Sequence, residues 1–317
     1  MPLADHRTAG DRPPLVAVVG PTAAGKSDLA VSLALQLGGE VVNADSMQLY
    51  RGMDIGTAKP AADERRGVPH HLLDVLDVTQ PATAAEFQGW ARAAIDDCRG
   101  RGVTPVLVGG SALYVRAVLD RFDFPGTDQA LRTGLETELA AVGPAAMHER
   151  LAAADPAAAS AILPGNGRRI VRALEVVTLT GRPYAASLPR HEYFYDAPGD
   201  RTVQVGLDVS RPTLDERIGA RVQRMWDHGL VDEVRRLEAH GLRRGRTASR
   251  ALGYAQVLQF LAGDCTEADA QQATVRATRR FARRQDSWFR KDPRICWLPY
   301  DVADLSRRGV AVVGAQE

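Results

Sequence analysis

The sequence predicts an α/β protein with a parallel sheet flanked by helices and interrupted by a mainly helical insertion. Three observations predict it. Short, continuous apolar runs such as Leu15-Val16-Ala17-Val18-Val19 and Thr104-Pro105-Val106-Leu107-Val108 end at glycine, as strands buried on both faces do. Segments of helical period separate these runs, and strand–helix alternation is the signature of a parallel sheet. From about residue 121 to 198 the runs stop, and Ala- and Arg-rich helical segments replace them.

Taken in order, Leu29, Leu33 and Leu37 recur at helical spacing over residues 26–37, and Gly38-Gly39 ends that helix. A second strand is expected around residues 40–44, a helix over 84–99 and a third strand over 104–108. Inside the insertion, Gly143-Pro144, Asp155-Pro156 and Pro164-Gly165 break the helical pattern. The sheet resumes at Val203-Gln204-Val205-Gly206-Leu207, and the remainder reads as helices with breaks at residues 241–245 and 263–264. The expected organisation is a core domain in two parts, 1–120 and 199–317, split by an insertion over 121–198.

Composition bounds the function. The 317 residues are 45% hydrophobic and 25% charged, enough for one large or two modest domains with no need of disulfides. Cys98, Cys265 and Cys296 are scattered, with no CxxC and no histidine close in sequence, so neither a zinc site nor a disulfide framework is expected. A reducing cytoplasm fits them. The first thirteen residues are polar and are expected to fray, and no run of about eighteen apolar residues suggests a membrane span. Net charge is only +1, yet residues 241–294 hold twelve Arg/Lys against five Asp/Glu, the pattern of a polyanion-binding surface or of a solvated helix face.

The segment Gly20-Pro21-Thr22-Ala23-Ala24-Gly25-Lys26-Ser27 matches GxxxxGK[ST] between a buried strand and an amphipathic helix, which makes the fold P-loop NTPase-like. Small residues let backbone N–H groups turn inward around phosphate oxygens. Lys26 adds a mobile charge, and the Ser27 hydroxyl can reach Mg²⁺. Where an ATPase or GTPase would place a carboxylate, the strand over 104–108 ends in Gly109-Gly110-Ser111. Asp45, at the end of the second strand, either caps a turn or faces the ligand crevice.

Beyond the P-loop, Asp45-Ser46-Met47-Gln48-Leu49-Tyr50-Arg51-Gly52-Met53-Asp54-Ile55-Gly56-Thr57-Ala58-Lys59-Pro60 resembles the signature of the tRNA dimethylallyltransferase (isopentenyltransferase) family. Pro69-His70-His71-Leu72-Leu73-Asp74, Val108-Gly109-Gly110-Ser111-Ala112-Leu113-Tyr114, Arg168-Arg169-Ile170-Val171-Arg172-Ala173-Leu174-Glu175 and Gly253-Tyr254 follow in the family's order, over roughly residues 14–300. The resemblance implies transfer of a dimethylallyl group from dimethylallyl diphosphate to the exocyclic amine of the adenosine just 3′ of the anticodon, in tRNAs reading codons that begin with U. It also implies a bacterial-type enzyme, because the C-terminal zinc finger of eukaryotic relatives needs more than three scattered cysteines; a monomer with no membrane partner is expected. Ser111 and Ser27 stand where family members often carry Thr, and both keep the hydroxyl.

By this resemblance Asp45 accepts the proton, and Thr22, Ser111 and Arg217 join the P-loop on the pyrophosphate. On sequence alone Arg217 would be an ordinary helix charge. The anticodon stem-loop is expected on Asp45, Ser46, Met47 and Gln48, on Arg168, Arg169, Ile170, Val171 and Arg172, and on Arg250, Gly253 and Tyr254. Arg276, Arg280, Arg283 and Arg284 fall at offsets 0, 4, 7 and 8, hence on one helical face suited to phosphates, while Phe281 and Trp288 share another. Adjacent His70 and His71 read as structural, and Trp226, Trp288 and Trp297 as core or interface residues. Competing readings are an adenylate isopentenyltransferase acting on free nucleotide, a small-molecule P-loop kinase, and a non-catalytic RNA-binding protein. The insertion and the basic segment disfavour the first, the missing carboxylate the second, and intact Lys26 and Ser27 the third.

Overall fold

Every residue of the first strand, β1 (Leu15–Val19), is buried, because the strand lies inside the sheet with helices on both faces. In this computed structural model, which describes residues 12–184 and 191–315, β1 pairs in parallel with β4 (Thr104–Gly109) on one side and β5 (Thr202–Asp208) on the other. Beyond β4 lie β2 (Gly39–Asn43) and the two-residue edge strand β3 (His70–His71). Beyond β5 lies β6 (Ile295–Pro299), giving the order β3-β2-β4-β1-β5-β6 with every pairing parallel.

Helix α1 (Lys26–Leu37) lays Leu29, Leu33 and Ala34 on one face of the sheet beside Val313 of α11 (Leu305–Gly314). On the other face, α2 (Ala84–Gly100) buries Phe87, Ala91 and Ile95, and α3 (Ala112–Leu119) buries Val115 and Val118. Thr83 caps α2 by accepting from the Glu86 N–H. The parallel order brings the carboxyl ends of β2, β4 and β1 side by side. These ends carry Asp45, Gly110-Ser111 and the P-loop, so all three open onto one crevice.

The chain divides into two compact units, Asp120–Phe194 and the remainder. The smaller unit packs α4 (Gln129–Ala154), α5 (Pro156–Ala161) and α6 (Gly167–Thr180) around Leu135, Met147, Leu151, Ile162, Ile170 and Leu174. α4 runs through the expected break at Gly143-Pro144 as a kink, where Gly143 takes φ 81°. Buried Glu175 accepts from Arg132, Arg172 and Thr127, which together hold its carboxyl down at about 2 against the opposing effect of burial. In the larger unit α7 (Arg211–Asp227), α8 (Leu230–Ala239), α9 (Tyr254–Leu261) and α10 (Glu267–Phe289) follow β5.

One strand differs from the sequence expectation. β6 falls in a region read as helical, because Ile-Cys-Trp-Leu-Pro lacks period-2 alternation and ends in a proline that an edge strand tolerates. His70 and His71, read as structural, form the edge strand β3. The frayed N-terminus was expected over residues 1–13, most of which lie outside the described residues. Among the described residues no helix is long and apolar enough to cross a membrane.

Candidate active site

Gly20 and Gly25 open the P-loop in conformations with φ 136° and φ 103° that a β-carbon would strain. Ala23 also sits at positive φ, as the turn of a phosphate cradle requires. Gly25 caps α1 without a side chain, which leaves the N–H groups of the first turn facing the crevice. Lys26 folds back so that its ammonium donates to the Pro21 carbonyl at 2.7 Å. Ser27 follows it, exposed, in the first turn of α1.

Two side chains from distant helices complete the cradle. From α10, the buried Gln285 accepts from the Thr22 N–H at 2.8 Å and donates to the Gly110 carbonyl at 2.7 Å. It ties the P-loop to the loop that carries Ser111. From α7, Arg221 donates to the Thr22 hydroxyl at 3.3 Å, while Arg217, one turn earlier, lies at the rim of the cradle, 5.1 Å over the Tyr300 ring. Neither Arg221 nor Gln285 figures in the sequence reading. Arg221 sits four residues after Arg217, the helical repeat that would have revealed it. Gln285 gives no such signal, since only the fold shows a neutral polar residue on the buried face of a basic helix.

Asp45 follows β2 directly. Its carboxylate accepts from the Met47 N–H at 2.9 Å, and its own N–H donates to Asn43 Oδ1 at 2.9 Å. Asn43 in turn donates to the carbonyls of Asp45 and Leu72, so the turn is held from both sides. Burial raises the Asp45 carboxyl above the usual carboxylate range, although the Met47 bond and the charges of Lys26 and Arg221 pull the other way. Burial and the neighbouring Arg221 bring Lys26 down to about 7, with Asp45 opposing. A carboxylate, a titratable ammonium and a guanidinium thus share one partly desolvated site, with no carboxylate at the end of β4.

Comparison with known proteins accords with this arrangement. Residues 48–292 match the profile of the family described as IPP transferase. The chain belongs to that family. It is 64% identical over 305 residues to the tRNA dimethylallyltransferase of Nocardioides sp., covering 96% of this chain and 97% of that one. To the enzyme of the same name from Thermobifida fusca it is 64% identical over 304 residues, covering 94% of each. Among solved structures, the full-length tRNA isopentenylpyrophosphate transferase of Bacillus halodurans is 40% identical with a TM-score of 0.69, covering 95% of both chains. A eukaryotic dimethylallyltransferase acting on tRNA is 25% identical with a TM-score of 0.81, covering 96% of this chain and 79% of that one.

Much of the IPP transferase signature over residues 45–60 shapes the loop itself. Buried Lys59 donates to the Tyr50 carbonyl and to the carboxylates of Asp54 and Asp74 at 2.6–2.8 Å. Glu233 of α8, also buried, accepts from the N–H groups of Asp54, Ile55 and Gly56 and from the Tyr254 hydroxyl. A β-carbon on Gly56 would lie 2.4 Å from the Tyr254 ring, so glycine is required there. Gln48 donates to the Thr57 and Ala58 carbonyls, and the Tyr114 hydroxyl donates to the Ala82 carbonyl at 3.4 Å.

Several residues expected at the tRNA surface are engaged inside the fold. Tyr254 is fully buried, with its hydroxyl committed to Glu233, and Gly253 caps α9. Ile170 and Val171 lie in the core of the smaller unit. Arg172 is half-buried and donates to Glu175 and to the carbonyls of Pro125 and Gly126. Arg168, Arg169 and Arg250 are exposed, as are Arg276, Arg280, Arg283 and Arg284 along α10. Of the tryptophans, Trp288 is 55% exposed, and Trp297 lies under the Arg290 guanidinium at 3.9 Å.

Proposed function

We propose that this chain transfers a dimethylallyl group from dimethylallyl diphosphate to the exocyclic amine of the adenosine just 3′ of the anticodon. The observation that carries the proposal is Asp45, a carboxylate raised by burial beside Lys26 and Arg221 at the mouth of a phosphate cradle. The high-identity relatives named tRNA dimethylallyltransferase support the same reading.

In this reaction the amine nitrogen attacks the terminal allylic carbon, the carbon–oxygen bond to the diphosphate breaks, and pyrophosphate leaves with the bonding electrons. The surplus proton on nitrogen passes to Asp45, which must stand within about 3 Å of it. The P-loop amides, Lys26, Thr22 and Arg221 receive the charge that develops on the leaving group, with Arg217 and Ser111 at its edge. The exposed Ser27 hydroxyl in the first turn of α1 fits a role as ligand to Mg²⁺, together with oxygens of the diphosphate. Bound there, the ion would neutralise the departing pyrophosphate.

The anticodon stem-loop would lie against the exposed arginines 168, 169, 250, 276, 280, 283 and 284, with Ser46, Met47 and Gln48 near the acceptor base. Incubating the protein with dimethylallyl diphosphate, Mg²⁺ and either bulk tRNA or AMP, followed by mass spectrometry of the nucleosides, tests this. Isopentenyladenosine in tRNA alone is the expected product. Modified AMP alone, or a phosphorylated acceptor when ATP is supplied, would replace the proposal with one of its rivals.

A further inference from the structure

Five residues before Asp45, about 16 Å back along the strand, Glu40 of β2 meets two side chains from separate elements. His71 of β3 places Nε2 2.7 Å from Glu40 Oε2. Cys98, in the last turn of α2, places Sγ 3.5 Å from the same oxygen and 3.7 Å from His71 Nε2. All three ligand atoms lie within 4.8 Å of one another, on elements of one sheet and its covering helix. We propose that Glu40, His71 and Cys98 form a site for a thiophilic divalent cation such as zinc, with Arg101 as its built-in competitor.

The donor set supplies a thiol, an imidazole and a carboxylate, the ligand types that zinc combines at about 2.0–2.3 Å. Around a tetrahedral ion such ligands stand about 3.3–3.8 Å apart, and both sulfur distances already fall there. Only the hydrogen-bonded Glu40–His71 pair has to open, by roughly half an ångström on the same geometry. With three protein ligands, water would fill the fourth position.

Arg101 shows that the pocket is built around positive charge. Its guanidinium donates to both Glu40 oxygens at 2.8 and 2.7 Å, and one nitrogen lies 3.6 Å from Cys98 Sγ. The Arg101 side chain is 44% exposed and also bonds Asp97 at 2.9 Å, so it can leave Glu40 and keep a partner. A divalent ion would replace it. The Cys98 thiol then gives its proton to solvent, and the His71 ring carries its hydrogen on Nδ1 so that Nε2 can bind the metal.

The test uses the full-length protein, stripped with chelator and titrated with zinc against a chromophoric zinc indicator, together with thermal denaturation of each apo form. Wild type is expected to bind one equivalent. Cys98→Ser and His71→Ala should each lower the affinity at least tenfold, Arg101→Ala should raise it, and Cys265→Ser and Cys296→Ser should leave it unchanged. Zinc should raise the melting temperature of wild type and Arg101→Ala but not of Cys98→Ser. Should Cys98→Ser not fold, the gain in Arg101→Ala and the loss in His71→Ala still decide the matter. Zinc binding that is indifferent to Cys98, or no zinc bound by wild type and by Arg101→Ala at tens of micromolar, overturns the proposal.

Discussion

Asp45 and Lys26 face one another across a partly desolvated crevice, and burial moves each toward its neutral form. A general base contributes about 10²–10⁴-fold, so Asp45→Asn should lower the single-turnover rate by that factor while tRNA and donor affinities hold. An unchanged rate with weakened donor binding would instead make Asp45 a metal or structural ligand. The two shifts also predict a pH profile. As the proposed base, Asp45 would work only when deprotonated, and the upward shift of its carboxyl should move the acid limb toward neutrality. If Lys26 holds the diphosphate as proposed, it would do so only when protonated, and with its ammonium brought down to about 7 donor affinity should fall as pH rises through neutrality. Binding above that pH should then take up a proton, which calorimetry in buffers of differing ionisation enthalpy would detect. A donor affinity that is flat between pH 6 and 9 would contradict this assignment.

Helix α10 works on two faces. Its buried face carries Gln285 between the Thr22 N–H and the Gly110 carbonyl, and its exposed face carries Arg276, Arg280, Arg283 and Arg284. Gln285→Leu should strand both backbone groups and raise the dissociation constant for dimethylallyl diphosphate, with tRNA affinity unaffected. Arg280→Ala with Arg283→Ala should do the reverse, weakening tRNA binding and flattening its salt dependence by about one slope unit per lost phosphate contact. Because Arg283 also sits 3.6 Å from Asp215, Arg280 should contribute the larger share. At the start of α9, Tyr254→Phe should lower stability by about 1–3 kcal/mol, by leaving Glu233 short of a donor, without altering tRNA affinity. A tRNA defect in a folded Tyr254→Phe variant would restore that residue to the nucleic-acid surface. The helical spacing along α10 was legible in the sequence because the period is local. That Tyr254 and Ile170 point inward was not, because family motifs record which residues recur and not which way they face.

For the whole molecule, the carboxyl ends of β1, β2 and β4 meet in a crevice that holds the P-loop and Asp45 but no carboxylate beyond β4. The protein should therefore show no steady ATP hydrolysis with or without tRNA, while dimethylallyl diphosphate with Mg²⁺ raises its melting temperature; acceptor-stimulated release of phosphate from ATP would count against this. Strands buried on both faces, the P-loop and the helical spacing of Leu29, Leu33 and Leu37 were determined by the sequence itself, since each is set by neighbours a few residues away. Only the tertiary structure decided which distant groups meet. Parallel crossovers bring Gln285 to Thr22 across 263 residues, and they bring Cys98 to His71 although no zinc spacing joins them in the chain. β6 belongs to the same class, because a short edge strand has no periodic pattern of its own and takes its conformation from pairing with β5. Local pattern sets which element a segment forms, whereas the burial that orients a polar side chain depends on packing partners that no local window contains.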